Sequence, residues 1–268
     1  MRTEDHIDIQ HPEAWDLLVA INAGRVDYIL YSPSVAGSLV MDEVTCATDS
    51  LQALEDAVYD TPVLLGDYHR VRVLVHSSHF VLLPLEVSDD DSKLLVRQAF
   101  PHDDGDAAVC ILPDSNVKIA YLMPRGMQAF LGRTFNYPEI CHHLLPLCEH
   151  YSEMSGEGVN KMFVNLNEGH MDAAVYRDGA LQLANTFPCG NLEDAVYYAM
   201  NVWRTCGLDQ LTDELLLTGD NTLRGAMTPE LRKYVKSVMP AAYPAAAMRL
   251  GRNAMQAPFE LILLALCE

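Results

Sequence analysis

Two stretches of this chain hold the residue types that do chemistry. The first is the run Cys141, His142, His143, Cys148 and His150, a dense group of potential metal ligands. Zinc sites present ligands in pairs about two to four residues apart on a turn, with a second pair at a distance. Here the adjacent His142 and His143 must point to different sides of any strand or helix. The spacing therefore predicts no metal site but a strand and a helix start, with packed cysteines and surface histidines. The second stretch is Glu168 beside His170, which strand alternation puts on one face, as an acid/base pair would require. Such neighbours also decorate ordinary hairpins. Asp27 and Asp172 each open a strand after a tight turn, where a carboxylate bonds turn N–H groups, and a turn-stabilising role is expected of both. No Gly-x-Ser-x-Gly, P-loop or dinucleotide fingerprint occurs, so no residue is assigned as catalytic.

Composition narrows the classes. The chain has 268 residues, half of them hydrophobic, with a charged fraction of 21%. That is the profile of a folded protein large enough for two cores of about 130 residues each. With 37 acids against 18 Lys and Arg, the net charge of −19 argues against nucleic acid or an anionic membrane surface as partner. The opening Met1-Arg2-Thr3-Glu4-Asp5-His6-Ile7-Asp8 lacks a secretory apolar run, and no later stretch is apolar enough to span a bilayer, so a cytoplasmic chain without membrane insertion is expected. The 7 cysteines contain no C-x-x-C pair and read as small buried hydrophobes.

The elements that must position these residues repeat. Leu54-Glu55-Asp56-Ala57-Val58-Tyr59 recurs letter for letter at Leu192-Glu193-Asp194-Ala195-Val196-Tyr197. Upstream, Val19 to Tyr31 matches Val164 to Tyr176 at a valine, an asparagine (Asn22, Asn167), a glycine (Gly24, Gly169), an aspartate (Asp27, Asp172) and a tyrosine. A duplicated unit of three meandering strands and a helix follows, with any ligand in the cleft between two lobes. In the first copy the strands run Trp15 to Asn22, Arg25 to Tyr31 and Ser38 to Val44, and the helix runs through Tyr59. Arg70 to Val75 and Phe80 to Pro84 read as a further hairpin turning at Ser77-Ser78. The acidic Ser88-Asp89-Asp90-Asp91 opens a helix, its charges complementing the dipole. Asp106 to Leu112 and Val117 to Met123 form a strand pair around Asp114-Ser115-Asn116, and Arg125 to Phe135 a helix. Ser152 to Asn160 is the linker, which divides the chain into lobes 1–155 and 156–268. The second copy runs Lys161 to Asn167, Met171 to Tyr176 and Ala180 to Phe187, then a helix near 191–206 whose Tyr197, Tyr198 and Trp203 are spaced as core. Glu214 to Thr218 reads as a buried strand, with a helix after Thr228-Pro229. Phe259 to Leu266 is a short apolar strand or helix.

This α/β, mixed-sheet arrangement resembles the duplicated RNase H-like, actin-like ATPase fold of actin, sugar kinases and the large heat-shock chaperones. In that superfamily each lobe's first hairpin is a phosphate loop, and the matching stretches run Ala20 to Asp27 and Asn165 to Asp172. Leu215 to Asn221 looks like the adenosine loop. The resemblance implies nucleotide-loop positions at Asn22, Gly24, Asn165, Asn167, Gly169 and Gly219. The residues found there are degraded. The leading metal-binding aspartate is Ala20 in one loop and Asn165 in the other, and Asn167 and Glu168 stand where glycines would let backbone N–H groups approach phosphate. Asp220 replaces a further glycine. ATP with magnesium is thus possible but disfavoured as cofactor. The segment Phe163 to Asp172, with Asp178-Gly179, Asn185-Thr186-Phe187 and Leu192-Glu193-Asp194, is similar to an uncharacterised bacterial family typical of Bacteroidota, distantly similar to cytoplasmic pilus and type II secretion assembly proteins. That resemblance implies a degenerate actin-like scaffold, a pseudo-ATPase with a protein partner or self-association. The alternative is a nucleotide-binding switch or kinase-like enzyme whose displaced acids Asp27, Asp172 or Asp220 hold the metal.

Overall fold

The computed structural model describes residue 9 and residues 11–112, 115–241 and 243–267 of this protein. The opening residues Met1–Asp8 and the turn residue Asp114 lie outside them. The first half starts as a meander of β1 (Asp16–Asn22), β2 (Arg25–Tyr31) and β3 (Val40–Thr45), followed by helix α1 (Leu51–Tyr59) and β4 (Arg70–Val75). After an excursion the chain returns as β8 (Glu139–His142) and helix α4 (Leu144–Glu153). The second half repeats the pattern with β9 (Lys161–Asn167), β10 (His170–Arg177), β11 (Ala180–Pro188), helix α5 (Leu192–Thr205), β12 (Glu214–Gly219), helix α6 (Asn221–Leu231) and β13 (Ser237–Pro240). The two five-stranded sheets have orders β3-β2-β1-β4-β8 and β11-β10-β9-β12-β13. In each, the meander strands are antiparallel and the last two join parallel to the first. The same topology on both sides follows from the same pattern in the sequence.

Local chemistry explains the repeated hairpins. Asn22 pairs with Arg25 and Asn167 with His170, so each loop has two residues and ends in glycine. Gly24 (φ 70°) and Gly169 (φ 83°) adopt the left-handed conformation that such turns need. The helices that follow are capped by Ser50 and Asn191, whose side chains accept from Ala53 N and Asp194 N.

Where expectation and structure differ, burial is the reason. Arg70 to Val75 does not form a hairpin with Phe80 to Pro84. β4 lies parallel to β1, while β5 (Phe80–Pro84) pairs with β7 (Val117–Met123) in a separate antiparallel sheet of order β5-β7-β6, where β6 is Asp106–Leu112. Val73 and Val75 enter one core and Leu74 another, so β4 is a two-sided parallel strand with a continuous apolar run. Ser77, taken for a turn residue, donates instead to Leu122 O at 2.7 Å where the chain leaves the sheet. Helix α2 (Asp89–Ala99) packs Val96 on the small sheet, and α3 (Met127–Thr134) leads back to β8. α6 begins at Asn221, well before Pro229, because Asp220 caps it by accepting from Leu223 N at 2.8 Å, and Pro229 falls only in its last turn.

The apolar tail is a helix, α7 (Phe259–Leu266), and it returns to the first half. With residues 245–257 it covers the face of the first sheet that presents Leu18, Ala20, Ile29 and Leu74. Arg72 donates to Cys267 O at 2.9 Å. The opposite face, with Leu17, Val19 and Ile21, joins α1, α3 and α4 in a core that also takes in Phe163 and Tyr176 of the second half. The outer face of the second sheet packs on α5 and α6.

Gly219 joins β12 to α6 with φ 85°, and a Cβ there would sit 2.6 Å from Leu166 N and overlap the Leu166 carbonyl. Gly219→Ala is expected to destabilise the protein by on the order of 3 kcal/mol, measured by denaturant unfolding. An unchanged midpoint would show that β9 and β12 can separate there without loss.

Candidate functional site

The residues at the base of the cleft come from strand ends. β4 and β8 run parallel, and their carboxyl ends bring His76, His142 and His143 together, since His76 N bonds Ile21 O and His143 N bonds Val75 O. Ligand sites of α/β sheets commonly lie outside such ends. From the second half, β10 contributes His170 and Asp172. Register places Asp172 opposite Asn165 of β9 and Thr186 of β11.

The four imidazoles form one cluster across the halves. His76 stacks on His143 with centroids 4.2 Å apart, His142 lies 4.4 Å from His143, and His170 meets His76 edge-on at 5.1 Å. Asp172 is buried and accepts three hydrogen bonds: from His143 Nε2 at 2.9 Å, Thr186 Oγ1 at 2.8 Å and Asn165 Nδ2 at 3.2 Å. Asn165 Oδ1 in turn accepts from Thr218 Oγ1 (3.1 Å), which accepts from the Tyr151 hydroxyl (2.6 Å). His143 stands at the N-terminus of α4 and Tyr151 lies on it, so the chain of bonds leaves α4, crosses three strands of the second half and returns to α4. A second carboxylate, Glu260 of α7, is also buried, with Oε1 3.3 Å from His76 Nε2. That contact is off the hydrogen-bonding direction. Both His76 ring nitrogens, His143 Nδ1 and Glu260 Oε2 have no hydrogen-bond partner among the described residues.

Charge at this base is set by burial and by the histidines. Burial opposes the Asp172 carboxylate, but the charge and hydrogen bond of His143 outweigh it and hold the group well below the usual carboxylate range. Burial, helped by His143 close by, pulls His76 down to about 4 despite Glu260. His142 is held well below the ordinary histidine value, first by burial and then by His143. Its Nδ1 accepts from Leu144 N at 3.3 Å, so Nε2 carries the proton and donates to Ser77 O at 2.9 Å. Nearer solvent, burial pushes Asp27 up to about 6 against the pull of Arg25.

Above the base the two hairpin tips meet. Arg25 of the first approaches Glu168 of the second to 3.8 Å, and both line the cavities on either side. One cavity, of about 450 Å³, contains Asn22, His76, His143 and His170; the other, of about 500 Å³, contains Asp27, Glu43, Asn167, Gly219 and Asp220.

The residues expected at the nucleotide loops are thereby located. Asn22, Asn167, Gly169 and Gly219 line these cavities, and Gly24 sits at the hairpin tip against Asp49, whereas Asn165 is buried beneath them. Glu168 and His170 do not pair. Glu168 turns to Arg25, and His170 Nε2 lies 3.3 Å from Asn167 Nδ2. Asp27 bonds the side chains of Asn22 and Arg25, both at 3.0 Å, and Asp172 bonds the other half, so neither performs the turn N–H role expected. His142 and His143, expected at the surface, are fully buried because β8 is covered on both faces. Cys141 and Cys148 enter different cores, which disperses the cysteine–histidine run. His76 and Glu260 went unnoticed, while Thr186 and Thr218 stood inside quoted motifs without a role of their own. Glu260 did carry a signal, as the single charge inside the apolar Phe259–Leu266.

The description "protein of unknown function (DUF3822)" belongs to a family whose model matches residues 4–238. The chain belongs to this family. A Bacteroides thetaiotaomicron protein with an actin-like ATPase fold and unknown function is 25% identical, covering 98% of this chain and 100% of that one, with a TM-score of 0.80. The PilM-PilN type IV pilus biogenesis complex matches with a TM-score of 0.52 at 11% identity over 96% and 100% of the two chains. The cytoplasmic domain of EpsL from the type II secretion system of Vibrio cholerae gives 0.46 at 12% over 77% and 82%. No curated protein matches. This family member therefore has the actin-like ATPase fold, with its two like sheets flanking the cleft described above. No helix among its described residues is long and apolar enough to cross a membrane.

Two expectations follow for this family member. His143→Ala leaves the Asp172 charge buried without its strongest donor and should cost about 3 kcal/mol, with part recovered in the double variant carrying Asp172→Asn. Equal losses in single and double variants, by urea unfolding, would place the energy elsewhere. His76 has a folded value of about 4 below an unfolded value near 6.5, so its contribution is complete above pH 6.5 and lost as pH falls towards 4. His76→Gln should therefore flatten the acid loss of stability between pH 6.5 and 4 by about 2 kcal/mol; parallel curves for the two proteins would contradict it.

Proposed function

We propose that this protein is an actin-like scaffold that does not turn over nucleotide efficiently and acts by binding another protein. The observation that carries this reading is the fate of the carboxylates at the cleft base. Where the fold's phosphate loops lead with a metal-binding aspartate, this chain has Ala20, buried in the first sheet, and Asn165, engaged by Asp172 and Thr218. The displaced aspartates are committed elsewhere: Asp27 to Asn22 and Arg25, Asp172 to its three donors, Asp220 to the helix it caps. Imidazoles and an Arg25–Glu168 contact fill the space between the hairpins, and Glu168 repels phosphate. This donor set does not fit a magnesium nucleotide, which needs free carboxylate or water ligands on the metal and open backbone N–H groups on the phosphates. The reading of a nucleotide switch built on displaced acids has less support for the same reason. A protein of this fold solved as the PilM-PilN complex makes a protein partner the natural expectation. On this view the lobes divide near residue 155, with α7 given back to the sheet of the first.

A thermal-shift titration with ATP, ADP and GTP at millimolar concentration, with and without magnesium, tests the proposal. No stabilisation is expected. A ligand at a hundred times its dissociation constant would contribute about 2.7 kcal/mol, several degrees here, and a magnesium-dependent shift of that size would overturn the scaffold reading.

A further inference from the structure

The base of the cleft leaves polar atoms unused, and they share one cavity. The cavity of about 450 Å³ is walled in part by Asn22, His76 and His143. The His76 side chain is only 8% exposed, yet neither of its ring nitrogens has a hydrogen-bond partner among the described residues. His143 is fully buried, with Nε2 engaged by Asp172 and Nδ1 equally without a partner. Asn22 gives its Nδ2 to Asp27 and leaves Oδ1 buried and unpaired. Buried polar atoms of native proteins are nearly always bonded, so three side chains with orphaned atoms on one cavity mark the place of a molecule that bonds them.

These atoms call for a donor. Burial holds His76 neutral, so one of its nitrogens carries a bare lone pair, and Asn22 Oδ1 can only accept. The charge behind them has the matching sign, with buried Glu260 against His76 and buried Asp172 against His143. Glu168 lines the same cavity, and across the Arg25–Glu168 contact the neighbouring cavity adds Asp27, Glu43 and Asp220, with Arg25 its one Lys or Arg among the described residues. An anion placed here would face two buried carboxylates one side chain away. A single water molecule fills only about 30 Å³ and leaves that charge unanswered. We infer that this cavity binds the primary ammonium group of an aliphatic amine, either a free amine or the lysine side chain of a partner. Its three N–H groups meet the lone pairs of Asn22, His76 and His143, and Ala23 and Pro188 wall the stem. An ammonium here favours the neutral form of His143, whose Nδ1 then accepts, and supplies in its place a positive charge near Asp172. This ligand goes beyond the scaffold reading and does not depend on it.

The probes are n-butylamine and butyltrimethylammonium, which keeps the stem and the charge but has no N–H group, each titrated into the full chain near neutral pH and followed by calorimetry. Saturable binding of butylamine is expected, with butyltrimethylammonium at least about tenfold weaker. His76→Phe and Asn22→Ala should each weaken butylamine at least about tenfold. Asn22 is a partly exposed residue at the end of β1, so its variant keeps the test open if His76→Phe fails to fold. No binding, equal binding of the two probes, or butylamine binding untouched by the variants overturns the inference. A third titration, with Nα-acetyl-lysine amide, separates the sources: tighter binding than butylamine assigns the site to a partner's lysine, and equal or weaker binding assigns it to a free amine. None of these outcomes bears on the nucleotide titration, so the amine site and the scaffold reading can fail separately.

Discussion

Asp172 is a carboxylate with no access to water, and the joining of the two halves depends on how it is satisfied. An ion buried alone is costly, and three donors converge on it from β8's end, β9 and β11. Because His143 starts α4 and Tyr151 lies further along that helix, the bonds close a ring through both halves. Moving one sheet against the other would strand Asp172, His143 and Asn165 together. Cleft opening of the kind a nucleotide cycle uses would thus have to break several buried bonds at once, whereas a rigid scaffold keeps them.

The halves share their topology and differ in what was added to it. Between β4 and β8 the first half carries an entire antiparallel sheet with α2 and α3, while between β12 and β13 the second carries α6 alone. The addition lets α3 reach the first hexapeptide. The longer α5, by contrast, buries Ala195, Ala199, Val202 and Trp203 and shares its core with Met227 and Leu231 of α6. Identical letters therefore end in different environments, and the environment follows from the connection between the parallel strands.

Much of this was legible in the residues. The repeated Asn-x-Gly turns and the alternating meander strands are local signals, and local structure obeyed them. What failed was whatever depends on partners distant in the chain. Arg70 to Val75 looks like half of a hairpin until β1 and β8 are known to flank it. His142 and His143 read as polar surface because nothing nearby reveals that two sheets and α7 enclose them. The base of the site draws on residues 76, 143, 165, 172, 186 and 260, and only their convergence gives them meaning. Pro229 was read as a start because its position relative to Asp220 is a matter of which cap wins.

The return of α7 to the first sheet also orders events in time. Leu18, Ala20, Ile29 and Leu74 are made early in synthesis, but their cover is residues 245–266. Until those residues leave the ribosome, that face of the first sheet lacks most of its cover, and the other core lacks Phe259 and Leu263 of α7. Contacts such as Arg72 with Cys267 join points far apart in sequence, the kind that slow folding by the entropy of closing a long loop. The second half, contained between them, can complete its own sheet first. The first sheet is thus completed by residues far along the chain, and its apolar face is covered only when α7 packs on it.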